Sequence, residues 1–410
     1  MVSRVVIIND NLCARGGAEA LAIKSAILFR EKGVTVTFFT GDGGNGQEFR
    51  SRGIEVIEAN NKSINNSTKV RAFTNGLYFP NSRKILAEWI ARNDTLQTIY
   101  HVHAWSKVLS PSIFGALRPV SARTVLHAHD FFSICPNGGF TNYRKNVACD
   151  LVALKPRCLV SNCDKRNYAH KLWRIGRYTV GRHLFDLNIM PANHILLNHA
   201  MVPFFLRAGV PKELLHVIPN PVDFPRTTRV LAERNQKIIF IGRLDPEKGP
   251  LDVAEAARCA GADLLFIGSG PLEEQIISQY PEFRITGWLN QDEIKRHLSE
   301  ARLVVVPSRW RETFGLAAVE ALRLGVPVII SERALISSGI CDQGAGIAID
   351  TTNTALFTKL LRRLIIDDAI VSAMSSRAMS AAQALALSFE EWRDALLECY
   401  ETVLVRHLVI

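Results

Sequence analysis

KIIFIGRLDPEKGPLDVAEAA, residues 237–257, is the stretch on which the fold turns. A run of Ile and Phe too short for a helix ends on Gly242-Arg243. A polar loop with Pro246, Lys248 and Gly249 follows, and then apolar residues at helical spacing. Strand, loop and helix in that order form a βα unit, and the pattern repeats outward from it. DLLFIGS (263–269), FRITGW (283–288), RLVVVPS (302–308) and VPVIIS (326–331) are four further strands with helices between them. Toward the N-terminus VVIIND (5–10), VTVTFFT (34–40), QTIYHVH (97–103), RTVLHAH (123–129) and HILLNHA (194–200) repeat the theme, with a helix over about 17–32. Such Val/Ile-rich runs alternating with helices mark parallel sheets. The expected architecture is α/β with two Rossmann-like βα domains, residues 1–215 and 236–387. A Pro-rich, charged linker spans 216–235, and a final helix in 388–410 has no strand after it and is free to return to the first domain. A Cys-containing basic insertion occupies about 135–185.

The chain of 410 residues, 48% hydrophobic, is too long for one core and too apolar for disorder. No apolar run reaches the roughly 18 residues that span a bilayer. MVSRVVIIND is expected to be a first buried strand and not a signal peptide, which makes cytoplasmic residence the expectation. The net charge of +10 is uneven: residues 1–220 hold 28 Lys and Arg against 14 Asp and Glu. A basic first half suits anionic lipid or a phosphorylated acceptor. Nucleic acid is not expected, because no recognition module with interleaved aromatics is present.

Ligands of parallel sheets bind at the carboxyl ends of the strands. That rule lines up the GGAE turn, His103, His129, Gly242-Arg243, Gly268-Ser269-Gly270 and Pro307-Ser308 on rims expected to face each other across a cleft. In PSRWRETFGLAAVEALRLGVPVI (307–329), Glu312 precedes a helix start and Glu320 lies eight residues on. Carboxylates accept hydrogen bonds from sugar hydroxyls, whereas helix-start amides near Gly315 suit a phosphate. Arg243 and Lys248 on one strand-end loop suit a diphosphate. Read blandly, Glu312 is a cap and Glu320 a solvated helix face.

GRLDPEKG, FIGSGP and PSRWRETFGLAAVEAL, with IPNPVD, the N-terminal ARGGAEALAIKSAILFREKG and the C-terminal SFEEWRDALLECYETV, together resemble the retaining glycosyltransferases of the GT-B fold, carbohydrate-enzyme family four (glycosyl transferases group 1). The resemblance implies transfer of a sugar from a nucleotide-sugar donor to a glycan or lipid-linked acceptor, as in bacterial surface polysaccharide or glycolipid synthesis. It implies His129, Arg243, Lys248 and Glu312 as catalytic residues. Gly16, Gly17, Gly242, Ser308, Phe314, Gly315, Leu316, Glu320, Trp288 and Leu289 would bind the donor, and no cofactor would be required. His103, Asp130, Arg174 and Arg177 are the acceptor-side candidates. One departure is ERALISSGICDQGAG after PVIIS, where the family carries a Gly-Gly pair and a Glu.

Three readings compete with the transferase. In a dinucleotide oxidoreductase, Glu273 would stand where the third small residue of the fingerprint belongs. An epimerase or isomerase on the same fold, or a non-catalytic nucleotide-sugar binder, would keep the same donor residues. Two features stay open. Residues 155–183 hold eight Lys or Arg, one acidic residue and several aromatics. That composition fits peripheral contact with the inner face of the cytoplasmic membrane, or an ordinary solvated helix face. Cys135, Cys149, Cys158 and Cys163 are separated by 13, 8 and 4 residues, which matches no standard zinc ribbon. They are either ligands of a structural zinc or similar metal, or reduced thiols packing a loop.

Overall fold

The computed structural model describes the chain except residues 15, 45, 62, 64–67, 186–191, 224–227 and 410. It separates into two compact units, one of residues 1–145, 149–218 and 389–410, the other of 146–148 and 219–388.

The first unit is built on a seven-stranded parallel sheet in the order β3-β2-β1-β4-β5-β6-β7. The strands are β1 (Arg4–Asn9), β2 (Thr35–Thr40), β3 (Glu55–Glu58), β4 (Thr98–Val102), β5 (Thr124–His127), β6 (Asn193–Leu196) and β7 (Leu215–Val217). Central strands such as β1 and β4 are buried along almost their whole length because helices cover both faces. Helix α1 (Gly17–Glu31) follows β1, α2 is Lys69–Leu77, and α3 is Tyr168–Leu184.

The second unit carries a six-stranded parallel sheet in the order β10-β9-β8-β11-β12-β13. Its strands are β8 (Lys237–Ile241), β9 (Leu264–Ile267), β10 (Arg284–Ile285), β11 (Ala301–Val306), β12 (Val328–Ser331) and β13 (Gly346–Ile349). Helix α4 (Pro250–Ala260) starts with Pro at its first position and stops at Gly261. The short α5 (Leu316–Leu322) begins after Gly315. Helices α6 (Thr354–Ile366) and α7 (Asp368–Leu385) add Phe357, Leu361, Leu364 and Val371 to the core.

The final helix, α8 (Phe389–Val409), belongs to the first unit. Trp392, Leu396 and Tyr400 are fully buried there, and the Tyr400 ring lies 5.6 Å from Phe29 of α1. Three strands carry no clear signal in the sequence: β3, β7 and β13. All three are sheet edges. EVIE is charged and partly solvated, LHV is three residues long, and GIAI is four residues, two of them small. Edge strands need only one buried side, so the apolar run that marks a central strand is missing. The expected linker at 216–235 therefore starts too early, since β7 runs through Val217. Residues 224–227 of that linker lie outside the described residues.

Candidate functional site

In each sheet the strand order reverses beside the first strand, and the loops leaving the two diverging strands create a site there. In the second unit the diverging strands are β8 and β11. Their loops meet at Gly249, whose φ of +70° is left-handed; a Cβ there would collide with the carbonyl oxygen of Pro307. That close approach brings Lys248 and Glu312 together. Lys248 Nζ donates to Glu312 Oε1 at 2.7 Å, and the Ser308 hydroxyl donates to Glu312 Oε2. Burial alone would raise the Glu312 carboxyl, but the Lys248 ammonium and the Ser308 hydroxyl outweigh it and hold the value below the usual range. The result is a fixed carboxylate and a fixed ammonium on neighbouring strand-end loops.

Other groups set this pair in place. Arg309 forks onto Asp252 of α4, with Nε 2.6 Å from Oδ2, and its backbone N–H donates to Glu247 O at 2.9 Å. The backbone carbonyl of Glu312 accepts from Leu335 N at 2.9 Å. Trp310 lies under the Lys248 ammonium, 5.4 Å from ring centre to Nζ. Arg243 is 62% exposed and ion-paired with Asp245, so its guanidinium is held at the loop surface. Phe314 is buried in the core. Gly315, at φ +80°, opens α5 ahead of Leu316. Glu320 sits on α5 beside Gln291, 3.5 Å away, and burial raises its carboxyl. Trp288 is 72% exposed, with Leu289 half-buried next to it. Gly242 lies against Gly268, where any side chain would strike the Gly242 carbonyl.

In the first unit the diverging strands are β1 and β4. Asp10, just past β1, is buried and accepts three backbone N–H bonds, from Lys107 at 2.7 Å and from Val108 and Leu109 at 2.9 Å each. Gly16 and Gly17 form the turn into α1. Four histidines stack side by side at the carboxyl ends of β4 and β5. His101 Nε2 is 3.1 Å from His127 Nδ1, His103 Nδ1 is 3.0 Å from His129 Nε2, and the His127 and His129 rings are 4.2 Å apart and nearly parallel. Burial pushes His101, His103 and His129 down, His129 to about 3, so His129 is a neutral imidazole at physiological pH. Asp130 beside it is raised by burial to about 6, and its Oδ1 accepts the Phe132 N–H at 2.9 Å.

Among the described residues His101, His103 and His127 form the one group of three whose potential ligand atoms lie within 4.8 Å of one another. Both nitrogens of His101 are already engaged, by His127 and by the Tyr400 hydroxyl at 2.6 Å. The stack is a hydrogen-bonded structural unit and not a chelate. Arg174 and Arg177 are also occupied. Arg174 Nε is 2.6 Å from the buried Asp164, and Arg177 lies between the Trp105 and Trp173 rings and donates to Ser106 O at 2.5 Å.

Sequence reasoning overlooked Asp10, Asp245, Trp310 and the Arg309–Asp252 pair. The buried Asn9-Asp10-Asn11 at a strand end was the available signal for the first of these. The others acquire meaning only once the loops are adjacent.

Residues 225–382 match the family model described as glycosyl transferases group 1. Glycogen synthase of Mycobacterium tuberculosis is 28% identical over 188 residues, 42% of this chain and 44% of that protein. A protein of the cps region of Klebsiella pneumoniae is 29% identical over 162 residues, 35% of this chain and 43% of the relative. The chain thus spans less than half the length of these curated relatives. Among solved structures, sucrose-phosphate synthase of Thermosynechococcus elongatus superposes with a TM-score of 0.73 at 16% identity, covering 98% of this chain and 100% of that one. HepE of Anabaena, crystallised with UDP, gives 0.67 at 17%, covering 97% and 100%.

Proposed function

We propose, from the premise that residues 225–382 form a glycosyl transferases group 1 domain and that the chain has the GT-B fold, that the protein transfers a sugar with retention from a nucleoside diphosphate sugar to a hydroxyl of a glycan or lipid-linked acceptor. The observation that carries this reading is the Lys248–Glu312–Ser308 cluster at the strand-end switch point of the second unit. A diphosphate there finds the Lys248 ammonium, with Arg243 on the same loop. As it takes up Lys248, the Glu312 carboxylate is released to accept hydroxyls of the donor sugar. Trp288 offers an exposed ring face to a base, and Glu320 a carboxylate to a ribose.

When the sugar–phosphate bond breaks, negative charge gathers on the diphosphate and positive charge on the sugar. Lys248 and Arg243 stabilise the first. An acceptor hydroxyl attacking from the leaving-group face passes its proton to the departing phosphate oxygen, so the configuration is retained. His129, held neutral and oriented by His103, contributes a hydrogen bond to the sugar and needs no charge.

HepE was crystallised with UDP-glucose, so uridine diphosphate sugars are the first donors to test. Thermal stabilisation should identify the donor, and product analysis should find a sugar on a new hydroxyl in the donor's anomeric configuration. A nucleotide-linked isomer and no transferred sugar would instead establish the epimerase. His129→Ala should lower turnover by about 10²-fold while nucleotide affinity stays within about threefold; loss of nucleotide binding would refute the role given to His129.

No helix among the described residues is long and apolar enough to cross a membrane. The acceptor side nevertheless suits a lipid surface. Val70 and Phe73 of α2 and Leu172 of α3 are exposed apolar side chains, and Trp173 Nε1 joins the two helices through Phe73 O at 3.1 Å. Exposed Lys155, Arg157, Lys165 and Arg166 precede α3. The protein should sediment with phosphatidylglycerol vesicles at low salt, and Phe73→Glu with Leu172→Glu should abolish this. Equal recovery of wild type and variant would remove the membrane partner.

A further inference from the structure

Lys171 of α3 is 1% exposed, whereas Lys155 and Lys165 of the same basic stretch lie at the surface. The Asn167 side chain caps α3 by accepting from His170 N at 3.0 Å, and the helix carries Lys171 inward one turn later. A buried lysine ordinarily meets a carboxylate. Here the nearby one, Asp164, is taken by Arg174 at 2.6 Å. Among the described residues the acceptors of Lys171 Nζ are two sulfurs, Cys163 Sγ at 3.3 Å and Cys158 Sγ at 3.5 Å.

This grouping is not a preformed chelate. No three of Cys135, Cys149, Cys158 and Cys163 bring their sulfurs within 4.8 Å of one another, and the Lys171 nitrogen stands against two of them. What the fold does hold at reacting distance is one nitrogen and one sulfur. Cys163 is fixed on several sides. Asn137 Nδ2 donates to its Sγ at 3.3 Å, its own N–H donates to Ser161 O at 3.0 Å, and its carbonyl accepts from Tyr143 N at 3.2 Å. Cys158 sits on a single helical turn, Pro156–Val160. Cys163 and Cys158 are 4% and 7% exposed, so bulk water and other thiols are kept from whatever forms at these sulfurs.

We propose that Lys171 and Cys163 form a redox modification site, at which hydrogen peroxide joins Lys171 Nζ to Cys163 Sγ through one oxygen atom. The first peroxide transfers oxygen to sulfur: its O–O bond breaks, a sulfenic acid forms and water leaves. The sulfenic oxygen then lies between sulfur and nitrogen, whose starting separation of 3.3 Å is that of a near-attack pair. A second peroxide takes one hydrogen from this oxygen and one from nitrogen. An N–O bond forms, two further waters leave, and the remaining proton of the ammonium passes to solvent. In sum a thiol, an ammonium and two peroxides give the bridge, three waters and one proton. Sulfur and nitrogen are each oxidised by two electrons. Four electrons from a dithiol reductant restore the thiol and the amine, and the bridging oxygen leaves as water. While it stands, the bridge fastens the short 156–163 segment to α3.

Peptide mass spectrometry of the folded full chain tests the proposal. The protein is treated with hydrogen peroxide, its remaining thiols are blocked, and it is digested with trypsin. Peptide 158–165, which holds Cys163, should appear joined to 167–174, uncut at Lys171. Allowing for the blocked Cys158, the joined species should exceed the summed masses by about 14 Da, one oxygen gained and two hydrogens lost. It should be absent from protein kept in dithiothreitol, and dithiothreitol should release both peptides unmodified. Cys163→Ser and Lys171→Arg should lose it, while Cys158→Ser and Cys341→Ser keep it. Because the variants could fail to fold, the wild-type masses decide by themselves. Unlinked peptides after peroxide overturn the bridge, whether Cys163 is a sulfinic acid about 32 Da heavier or is paired with Cys158 in a disulfide about 2 Da lighter. A joined species about 2 Da below the summed masses is a direct sulfur–nitrogen link and overturns the bridging oxygen. A joined species that persists in Cys163→Ser overturns the choice of sulfur.

Discussion

Lys248→Ala is expected to cut sugar transfer by about 10²–10³-fold and to weaken nucleoside diphosphate binding, because it removes a fixed positive charge from the diphosphate. It also strands Glu312. With Lys248 gone, the Ser308 hydroxyl still favours that carboxylate, while burial opposes it. Breaking a fully buried pair costs about 3–5 kcal/mol; since Lys248 is 23% exposed, about 2–3 kcal/mol is expected here. The two effects separate in the Lys248→Ala/Glu312→Gln double variant, measured by urea unfolding and by turnover. Stability should recover, because the unpaired charge is gone, and activity should not. A Lys248→Ala enzyme with wild-type turnover would refute the placement of the diphosphate. Glu312 has a lowered folded value, so the stability of this pair is present above the unfolded carboxyl value of about 4.5 and is lost as pH falls through the folded one.

A larger acid effect is expected from the histidines. Burial holds His101 and His103 well below their usual value, His129 at about 3 and His194 at about 4. In the unfolded chain each takes a proton near pH 6.5, whereas in the fold it does not. The unfolded state therefore binds more protons below that point, and stability falls as pH drops from about 6.5 toward 4, by about 1.4 kcal/mol per pH unit for each histidine. Asp10 and Asp130, raised by burial, act in the opposite sense. The net slope is expected to be about 2–3 kcal/mol per pH unit, a loss of about 3–4 kcal/mol by pH 5 against the about 5–15 kcal/mol of an ordinary domain. Urea unfolding at pH 7.5, 6 and 5 measures it. His194→Asn, outside the stack, should flatten the slope by about 1.4 kcal/mol per unit. Equal midpoints at pH 7.5 and 5 would mean that these imidazoles are solvated.

The parallel α/β character of both units was legible in the sequence because a central parallel strand is buried on both faces and so carries an apolar run. KIIFI and RVVIIN could hardly be read otherwise. The positions of Lys248 and Glu312 on strand-end loops were legible for a related reason: the loop begins where the apolar run stops. What those two side chains do to each other was not. They are 64 residues apart, and their 2.7 Å bond exists because β8 and β11 are neighbours and Gly249 lets the loops touch. The basic stretch before and within α3 read as one charged surface, yet in the fold Arg174, Arg177 and Lys171 turn inward to Asp164, two indole rings and sulfur.

Sequence by itself determined the strand and helix alphabet, the two-unit division and the residue types at the strand ends, because burial and backbone geometry act on short stretches of chain. Tertiary structure alone decided which polar groups share an environment: the histidine stack under α8, the Lys248–Glu312 pair, and Lys171 with Cys158 and Cys163. Charge state and pairing depend on what stands within a few ångströms, and residues far apart in the chain supply those neighbours.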